Sequence, residues 1–410
     1  MKTIGIIAEY NPFHNGHLHL IKSCKEALQA DFVVVVMSGD FVQRGTPSFV
    51  DKFTRTKMAL ENGVDIVFEL PVHYSTGSAE YFANGAVSLL TKLGCIDYLC
   101  FGSENGDTAL LSAISDILEK EPSSYKKSLA YHLSKGNSFA KARQEALLEY
   151  ISSQDFPYTN AKVIEAMSSP NNILGIEYIK AIKSQKSSMI PYSISRIGQE
   201  YQSETFTEFS SATAIRSYIS DKGITSDLSI TMPPNCIALL KENQSKMSQY
   251  QKFSDMVHYK LLLEKEKGYS RFLDVSEDFS NKISSNLEKY TDFDSFCNLL
   301  KSKDLAYSRI SRSLLHIFLN ITDENMKEYR ANGYSCPARV LGMKKSASIL
   351  VKEMQKKGTI SVITTLKKAP DLCDTLQLKV LEENLLATQI YGCLCEDAPQ
   401  NEYRMKQIIL

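Results

Sequence analysis

The stretch DFVVVVMSG at residues 31–39 places six apolar residues in a row, without the alternation of a strand that has one wet face. Such a run is typical of a strand buried on both faces of a parallel sheet. Other strand-like segments occur before and after it, mostly separated by segments with helical spacing, and they read TIGIIAEY, VDIVFELP, DYLCFGSENG and MIPYSISRIG. Strands that alternate with helices in this way are joined by right-handed crossovers. The sequence therefore predicts an α/β fold with a Rossmann-like, doubly wound parallel sheet.

The length of 410 residues exceeds what one hydrophobic core usually serves, so we expect two domains. The alternation of strands and helices ends near the diproline Pro233-Pro234. Beyond it almost every apolar pattern has the helical period, with helices expected at 236–243, 253–267, 293–300, 307–319, 347–355 and 374–388. The predicted division is a catalytic domain over 1–222 and a mostly α-helical domain over 223–410.

Charge and cysteine usage limit the classes of protein that fit. Acidic and basic residues number 47 each, but residues 301–370 hold 14 basic and 5 acidic residues and are the best candidate for contact with a polyanion. The nine cysteines lack the paired spacing of a zinc site, which favours reduced thiols in a cytoplasmic protein. No apolar run approaches the roughly 20 residues of a membrane span, and no export signal is recognisable. We therefore expect no membrane association and find no indication of a protein partner.

Two histidines, His14 and His17, lie where the first strand turns into a helix, in the segment EYNPFHNGHLHL. A helix N-terminus offers free backbone N–H groups and the positive end of its dipole, which suit a phosphate, and Gly16 allows close approach of the backbone. Imidazoles in the first turn can donate hydrogen bonds to phosphate oxygens and suit the charge that builds on an α-phosphate under in-line attack. A solvated helix cap and half of a metal site are alternative interpretations of the pair.

The tetrad HNGH at 14–17, combined with SSATAIR at 210–216, resembles the signature pair of the nucleotidyltransferase superfamily that forms adenylates from ATP. This resemblance implies that the serines and the arginine of the second motif hold the β- and γ-phosphates of ATP. A hydroxyl-rich helix N-terminus with a fixed cation suits that task. A plain helix cap is the alternative for Ser210 and Ser211.

A longer set of segments resembles the tRNA(Met) cytidine acetate ligase family, and it consists of AEYNPFHNGH, MSGDFVQRG, KFTRTKMAL, FELP, FGSENGD, SPNNILGIEY, FSSATAIR, YSRISRSLLHI and ARVLG. The resemblance implies an enzyme that uses ATP to activate acetate as acetyl-adenylate, with release of pyrophosphate. The acetyl group then passes to the exocyclic amine of the wobble cytidine of elongator tRNA(Met). Mg²⁺ is expected with ATP, because ATP phosphates normally carry it, and no metal site formed by the protein is expected.

By the same resemblance, the ATP-binding segment comprises Ile7, Ala8, Glu9, Tyr10, Asn11, Pro12, Phe13, His14, Asn15, Gly16, His17, Leu18, His19 and Leu20. The rest of the ATP site is expected to comprise Gly102, Asn171 or Asn172, Arg196, Ile197, Ser210, Ser211, Thr213 and Arg216. We expect His14 and His17 to be catalytic at the α-phosphate. Asp40 is expected either to orient acetate or the target amine, or only to cap the residues that follow it.

Basic residues in both halves are expected to contact tRNA, and they are Arg44, Lys52, Arg55, Arg309, Arg312, Lys344 and Lys345. The spacing of Arg309, Arg312 and His316 predicts one shared helix face. Such cations suit phosphate contacts that position a tRNA, although a solvated helical surface gives the same pattern.

Two other functions fit part of this sequence. One is a small-molecule adenylyltransferase of the pantetheine-phosphate or nicotinate-mononucleotide type, which has no need of a basic helical domain. The other is a non-catalytic RNA-binding protein on an ATP-binding scaffold, which has no need of both signature motifs.

Overall fold

The computed structural model describes residues 1–197, 207–303, 305–397, 401–405 and 407–410. The strands are β1 (Thr3–Ala8), β2 (Phe32–Ser38), β3 (Phe41–Val42), β4 (Thr46–Pro47), β5 (Ile66–Leu70), β6 (Tyr98–Ser103), β7 (Ile190–Ser195), β8 (Ala338–Met343), β9 (Val362–Ile363) and β10 (Ile408–Ile409). The helices are α1 (Asn15–Ala27), α2 (Lys52–Glu61), α3 (Val72–Ser75), α4 (Ala79–Lys92), α5 (Thr108–Lys120), α6 (Ser123–Ser134), α7 (Phe139–Ser152), α8 (Asn160–Ser168), α9 (Pro170–Ser184), α10 (Ala212–Lys222), α11 (Pro234–Glu242), α12 (Tyr250–Glu264), α13 (Glu277–Asn286), α14 (Phe293–Leu300), α15 (Tyr307–Leu319), α16 (Asp323–Ala331), α17 (Ser348–Lys357), α18 (Ala369–Leu372) and α19 (Thr375–Cys393).

One large sheet has the strand order β10-β8-β5-β2-β1-β6-β7, with β9 paired to β8. Strands β5, β2, β1, β6 and β7 run parallel to one another, which confirms the predicted Rossmann-like sheet. Gly198, the last residue of the segment predicted as the fifth strand, lies outside the described residues. Because β1 lies between β2 and β6, the winding of the chain reverses at its carboxyl end. Ligands bind at this position in doubly wound sheets.

The apolar run of β2 serves two cores at once. Val34 and Val36 face the larger core, together with α4, α5 and α9. Val33, Val35 and Met37 face the second core on the opposite side of the sheet, together with α1, α2 and α11. All five side chains are fully buried. Burial on both faces therefore accounts for the absence of alternation in this strand.

The second half of the chain is mostly helical, as predicted, but it also contributes strands to the large sheet. Strand β8 pairs antiparallel with β5, and β9 and β10 pair with β8. These strands were not predicted individually, because Arg339 and Gly342 interrupt the apolar pattern of the six-residue β8. A Cβ atom on Gly342 would lie 2.8 Å from Cγ2 of Thr56, so glycine lets α2 pack closely on β8. The division into domains at 222/223 stays a prediction.

Across the described ranges, no helix is both long enough and apolar enough to cross a membrane.

Candidate active site

The turn between β1 and α1 holds the two signature histidines in a fixed arrangement. The Nδ1 atom of His14 accepts a hydrogen bond from the backbone N–H of Gly16 at 3.1 Å. The Nδ1 atom of His17 accepts one from the backbone N–H of His14 at 3.2 Å. The two ring centroids are 3.8 Å apart. Because both Nδ1 atoms accept, each neutral ring carries its proton on Nε2 and can donate one hydrogen bond to a ligand.

Burial keeps both imidazoles neutral at physiological pH. Burial, and then the nearby charge of Arg196, lowers the pKa of His14 to about 3. Burial, the His14 ring and Arg196 hold the pKa of His17 well below its ordinary value. The two rings therefore act as neutral hydrogen-bond donors, which suits a site that receives a phosphate whose charge increases during the reaction.

Aromatic side chains fix the orientation of His17. The ring of Tyr10 packs edge-on against it with 4.9 Å between centroids, and the ring of Phe13 lies 5.6 Å away. Tyr10 has a φ of 49°, so the chain leaves β1 through a left-handed residue that turns the next segment towards the sheet edge. Tyr10 and Phe13, which belong to the predicted ATP-binding segment, thus support the ring of His17, and their contact with ATP stays a prediction.

Other members of that segment have structural contacts of their own. Ile7 and Ala8 end β1, and Leu18 and Leu20 pack against the second core. Asn15 donates from its backbone and its side chain to the carbonyls of residues 231 and 230, at 2.9 and 3.1 Å. The ring of His19 lies 6.0 Å from that of Phe209. Direct contact of these residues with ATP stays a prediction.

The second signature motif begins helix α10. The hydroxyl of Ser211 caps this helix by accepting from the backbone N–H of Ala214 at 3.2 Å. The Ser210 hydroxyl accepts from the N–H of Thr207 at 2.9 Å and can donate to the carbonyl of the same residue at 3.0 Å. The helix-cap alternative therefore describes Ser211, and a cap does not prevent the exposed hydroxyl from also contacting a ligand.

Arg216 joins the two signature motifs in space. Its Nη1 donates to the carbonyl oxygen of Asn11 at 2.7 Å, and its Nη2 donates to Oγ1 of Thr213 at 3.2 Å. Residues 205 positions apart in the sequence are thus in direct contact. The structure brings the HNGH turn and the SSATAIR helix together at one edge of the sheet.

The predicted nucleotide contacts Gly102, Arg196 and Ile197 lie at the ends of β6 and β7. The side chain of Arg196 packs over Gly102, and a Cβ atom added there would lie 3.1 Å from Cγ of Arg196. The charge of Arg196 acts on both histidines, as their lowered pKa values record. Ile197 follows with about half of its surface exposed (50%). The predicted group of Gly102, Arg196 and the two histidines is therefore brought together.

Glu104, which had no predicted role, organises the start of α9. Its carboxylate accepts from the backbone N–H of Asn171 at 3.2 Å, from the side-chain amide of Asn171 at 2.8 Å and from the backbone N–H of Asn172 at 2.8 Å. Asn172 is fully buried, and its Oδ1 accepts from the N–H of Glu104 at 2.9 Å. An acidic residue directly after a strand end was the available signal for this contact.

Asp40 is buried behind the site and contacts the start of α2. Its Oδ1 accepts from the backbone N–H of Lys52 at 2.8 Å, and its Oδ2 has no hydrogen-bond partner among the described residues. Burial raises the pKa of this carboxyl to about 6. The side chain therefore does not cap the residues directly after it, and its role in orienting acetate or the amine stays a prediction.

The expected tRNA contacts of Lys52 and Arg55 are wrong, because both side chains are fully buried. Arg55 donates to the backbone carbonyls of Glu9, Ser38, Gly39 and Val50. This guanidinium ties together the carboxyl ends of β1 and β2. An amphipathic pattern does not reveal such burial, since α2 packs on the sheet with one side and on α11 with another.

Lys52 belongs to a network of buried charges, which we call the buried ion cluster and define as Asp40, Lys52, Glu69, Arg339 and Glu402. The Nζ atom of Lys52 lies 2.6 Å from Oε1 of Glu69 and 3.0 Å from Oε1 of Glu402. Arg339 contacts both glutamates, the first at 2.8 Å. No role was predicted for Glu69, Arg339 and Glu402. The glutamate inside the apolar segment VFELP was the only signal for them.

Arg44 contacts the second signature motif, and its role as a tRNA contact stays a prediction. Its Nη1 donates to Oγ1 of Thr213 at 3.3 Å, the same oxygen that receives Arg216. The backbone around it contacts α15, since the Ser311 hydroxyl donates to the carbonyls of Arg44 and Gly45 at 2.8 and 3.1 Å. The short β3–β4 hairpin thus connects the second signature motif to α15.

The basic stretch is only partly a solvated face. Arg309 and Lys345 are exposed, Arg312 is half-buried, and Lys344 pairs with a carboxylate oxygen of Asp65 at 3.4 Å. His316 is fully buried, where its ring nitrogens lie 3.0 Å from the carbonyls of residues 273 and 76. The helix face predicted for these three residues is therefore exposed at Arg309, half-buried at Arg312 and fully buried at His316.

Within the described part of the chain, no group of three or more histidine, cysteine, aspartate or glutamate side chains is placed to hold a metal ion. Glu9 is a carboxylate near Arg216 of the second motif, and its Oε1 accepts from the N–H of Gln43 at 2.8 Å. Burial raises the pKa of Glu9. The N–H and hydroxyl groups of the two signature motifs are donors of the kind that phosphate oxygens accept from.

Comparisons with known proteins cover the whole chain. A family model described as HIGH Nucleotidyl Transferase matches residues 1–407. The tRNA(Met) cytidine acetate ligase of Clostridium acetobutylicum is 39% identical over 412 residues, with 100% of both chains covered. That of Clostridium kluyveri is 40% identical, over 98% of this chain and 97% of its own. A crystal structure of Thermotoga maritima TmcAL bound with α-thio ATP has a TM-score of 0.93 and 29% identity, with 100% of each chain covered.

Proposed function

Because the chain belongs to the tRNA(Met) cytidine acetate ligase family of HIGH nucleotidyl transferases, we propose that it acetylates tRNA in two steps. ATP first activates acetate as acetyl-adenylate. The acetyl group then passes to the exocyclic amine of the wobble cytidine of elongator tRNA(Met). Because ATP and tRNA are intracellular substrates, the reaction takes place in the cytoplasm.

In the first step an acetate oxygen attacks the α-phosphorus, and the bond from this phosphorus to the oxygen that bridges it to the β-phosphorus breaks. The Nε2–H groups of His14 and His17 donate to the α-phosphate oxygens, where negative charge increases. Their neutrality leaves the substrate charge to Arg196, Arg216 and the N-terminus of α1. The chemistry is therefore one of positioning and charge stabilisation, as in other phosphoryl and nucleotidyl transfers.

Mg²⁺ enters this site, in our proposal, with ATP. The residues around the phosphate site supply N–H and hydroxyl donors and no cluster of carboxylates among the described residues. Phosphate oxygens and water are the natural ligands of an ion delivered in this way. When bound, Mg²⁺ would neutralise part of the phosphate charge. We assign no side chain as its ligand.

In the second step the cytidine amine attacks the acetyl carbonyl carbon, AMP leaves and the amine loses a proton.

Of the two candidate asparagines, we assign ATP contact to Asn171. Its side chain is partly exposed and its Oδ1 lies 3.5 Å from Arg196, whereas Asn172 is fully buried on Glu104. The Nδ2 atom of Asn172 has no hydrogen-bond partner among the described residues, but the side chain has no exposed surface through which a nucleotide could reach it.

The tRNA approaches, in our proposal, over α15 and the neighbouring basic residues. Arg309 and Lys345 extend into solvent, as phosphate contacts require. Arg312 and Lys344 are only partly exposed, so we assign them a smaller contribution to tRNA binding. The β3–β4 hairpin connects α15 to the ATP site, so a tRNA held there lies close to the place where acetyl-adenylate forms.

The single observation that carries the proposal is the contact of Arg216 with the HNGH turn, because it assembles an adenylate-forming site in a chain whose full-length relatives are acetate ligases. Incubation with ATP, ¹⁴C-labelled acetate and elongator tRNA(Met), followed by nucleoside analysis, tests it. Label in acetylcytidine, together with acetate-dependent pyrophosphate release, is expected, and initiator tRNA is the matched control. An equal rate of pyrophosphate release with and without acetate, or the absence of label in elongator tRNA(Met), would refute the proposed function.

A further inference from the structure

Two guanidinium groups converge on a single hydroxyl at the tip of the β3–β4 hairpin. Nη1 of Arg44 and Nη2 of Arg216 donate to Oγ1 of Thr213 at 3.3 and 3.2 Å. These arginines come from different elements, a hairpin and a helix, and they meet beside the N-terminus of α10. Like charges repel, so such an arrangement is stable only if a group of opposite charge compensates it.

The protein compensates this pair only weakly. Burial and then the charge of Arg44 lower the pKa of Arg216, and the charge of Glu9 opposes them only in part. The nearby acid is Glu9, and burial raises the pKa of its carboxyl. Its Oε1 accepts from the backbone N–H of Gln43, and no described carboxylate forms an ion pair with either guanidinium. The site therefore has positive charge to spare for an anion.

The backbone of Arg44 is held on both sides. The N–H of Gln43 donates to Glu9 at 2.8 Å on the side of the sheet, and the Ser311 hydroxyl donates to the carbonyls of Arg44 and Gly45 on the other side. Gly45 has a φ of 80°, and a Cβ atom there would lie 2.5 Å from the backbone nitrogen of Arg312, so only glycine fits. The hairpin therefore presents Arg44 from a fixed position, as preorganised binding requires.

We propose that Arg44 binds the β- and γ-phosphates of ATP together with Arg216, and that it is not a tRNA contact. This inference rests on the ATP site of the proposed function. The planar N–H pairs of two arginines match the oxygens of a diphosphate group. Negative charge increases on that group as it leaves as pyrophosphate, so the second cation stabilises the leaving group as well as bound ATP.

The test compares ATP with AMP, because only ATP carries the phosphates in question. Isothermal titration of both nucleotides into the parent protein, Arg44→Ala and Arg44→Lys measures the effect. We expect Arg44→Ala to lose about 10- to 100-fold in ATP affinity, the range for a lost charged hydrogen bond, and to keep its AMP affinity. Arg44→Lys keeps the charge but not the planar N–H pair and should fall between the two. Arg330→Ala, which removes an exposed arginine from α16, is the control.

Three results would overturn the inference. They are parent-like ATP affinity in Arg44→Ala, an equal loss for ATP and AMP, and a loss of tRNA binding with ATP affinity unchanged. Thermal unfolding of each variant shows whether the protein is folded, and the lysine variant still reports if the alanine variant is not. Nucleotide binding needs neither acetate nor tRNA. A parent protein that binds ATP but makes no acetylcytidine would therefore refute the proposed function without touching this inference.

Discussion

Replacement of Lys52 by methionine tests the buried ion cluster directly. The Nζ atom loses hydrogen bonds to Glu69 at 2.6 Å, to Thr388 at 2.7 Å and to Glu402 at 3.0 Å. The two glutamates then share Arg339 as their cation, with Asp40 still nearby. Removal of one partner from a buried ion pair costs about 3 to 5 kcal/mol, because the charge left behind has no water to replace it. We expect a loss of that size in the free energy of unfolding.

Lys57 supplies a matched control on the same helix. It is 43% exposed, and it pairs with Glu61 one turn later at 3.9 Å. Methionine at this position should cost less than about 1 kcal/mol. Urea unfolding followed by circular dichroism suits the measurement, since the chain has no tryptophan.

Combining Lys52→Met with Glu69→Gln removes one charge of each sign and should recover part of the loss, by roughly 0.5 to 3 kcal/mol. Equal small losses for Lys52→Met and Lys57→Met would refute the reasoning. If the slope of log tRNA affinity against log salt concentration were smaller by about one in a folded Lys52→Met protein, Lys52 would contact tRNA, as the sequence suggested.

The other predictions concern the site. The pKa of His14 is about 3 in the folded chain and about 6.5 when unfolded, so only the unfolded chain takes up a proton here as the pH falls from 7.5 to 5. The parent protein should therefore lose about 2 kcal/mol more unfolding free energy over this pH range than His14→Gln does, as measured by urea titrations. Equal losses in the two proteins would contradict the burial of His14. His17→Ala should slow acetyl-adenylate formation about 100-fold or more while ATP binding changes little, and unchanged turnover in a pyrophosphate assay would remove His17 from the mechanism. Arg216→Ala should raise KM for ATP more than it lowers kcat, and a fall in kcat alone would contradict ground-state phosphate contact. Neutralising Arg309 and Lys345 together should weaken tRNA binding and flatten its salt dependence but spare adenylate formation, and filter binding across a salt series with parent values would place the tRNA elsewhere.

The parallel sheet could be predicted because its strands are short, apolar and punctuated by helices. Strand β2 shows this most clearly, since its run of valines fits nothing but burial on both faces. Strand β8 could not be found in the same way. It carries Arg339 towards a partner that the sequence places 270 residues earlier, at Glu69. Local patterns contain no information about such pairings.

The candidate site divides along the same line. The turn at His14 and the cap at Ser211 are local features, and their geometry follows from residues within three positions. The fate of basic residues is decided by packing, so the pattern of α2 did not distinguish buried Lys52 from solvated Lys57. The contact of Arg44 with Thr213, 169 positions later in the chain, is likewise not visible in any local pattern.

The position of β8 between β5 and β10 has a consequence for the order in which the chain is made. A ribosome adds about 5 to 20 residues per second, so Arg339 follows Glu69 by about 14 to 54 s over the 270 residues between them. During that time β5 is an open sheet edge. Glu69 lacks its partner Arg339, and Lys52 lacks its partner Glu402. Open edges pair with other chains. The nascent protein is therefore most prone to aggregation after its parallel strands have formed and before β8, in the last fifth of the chain, emerges.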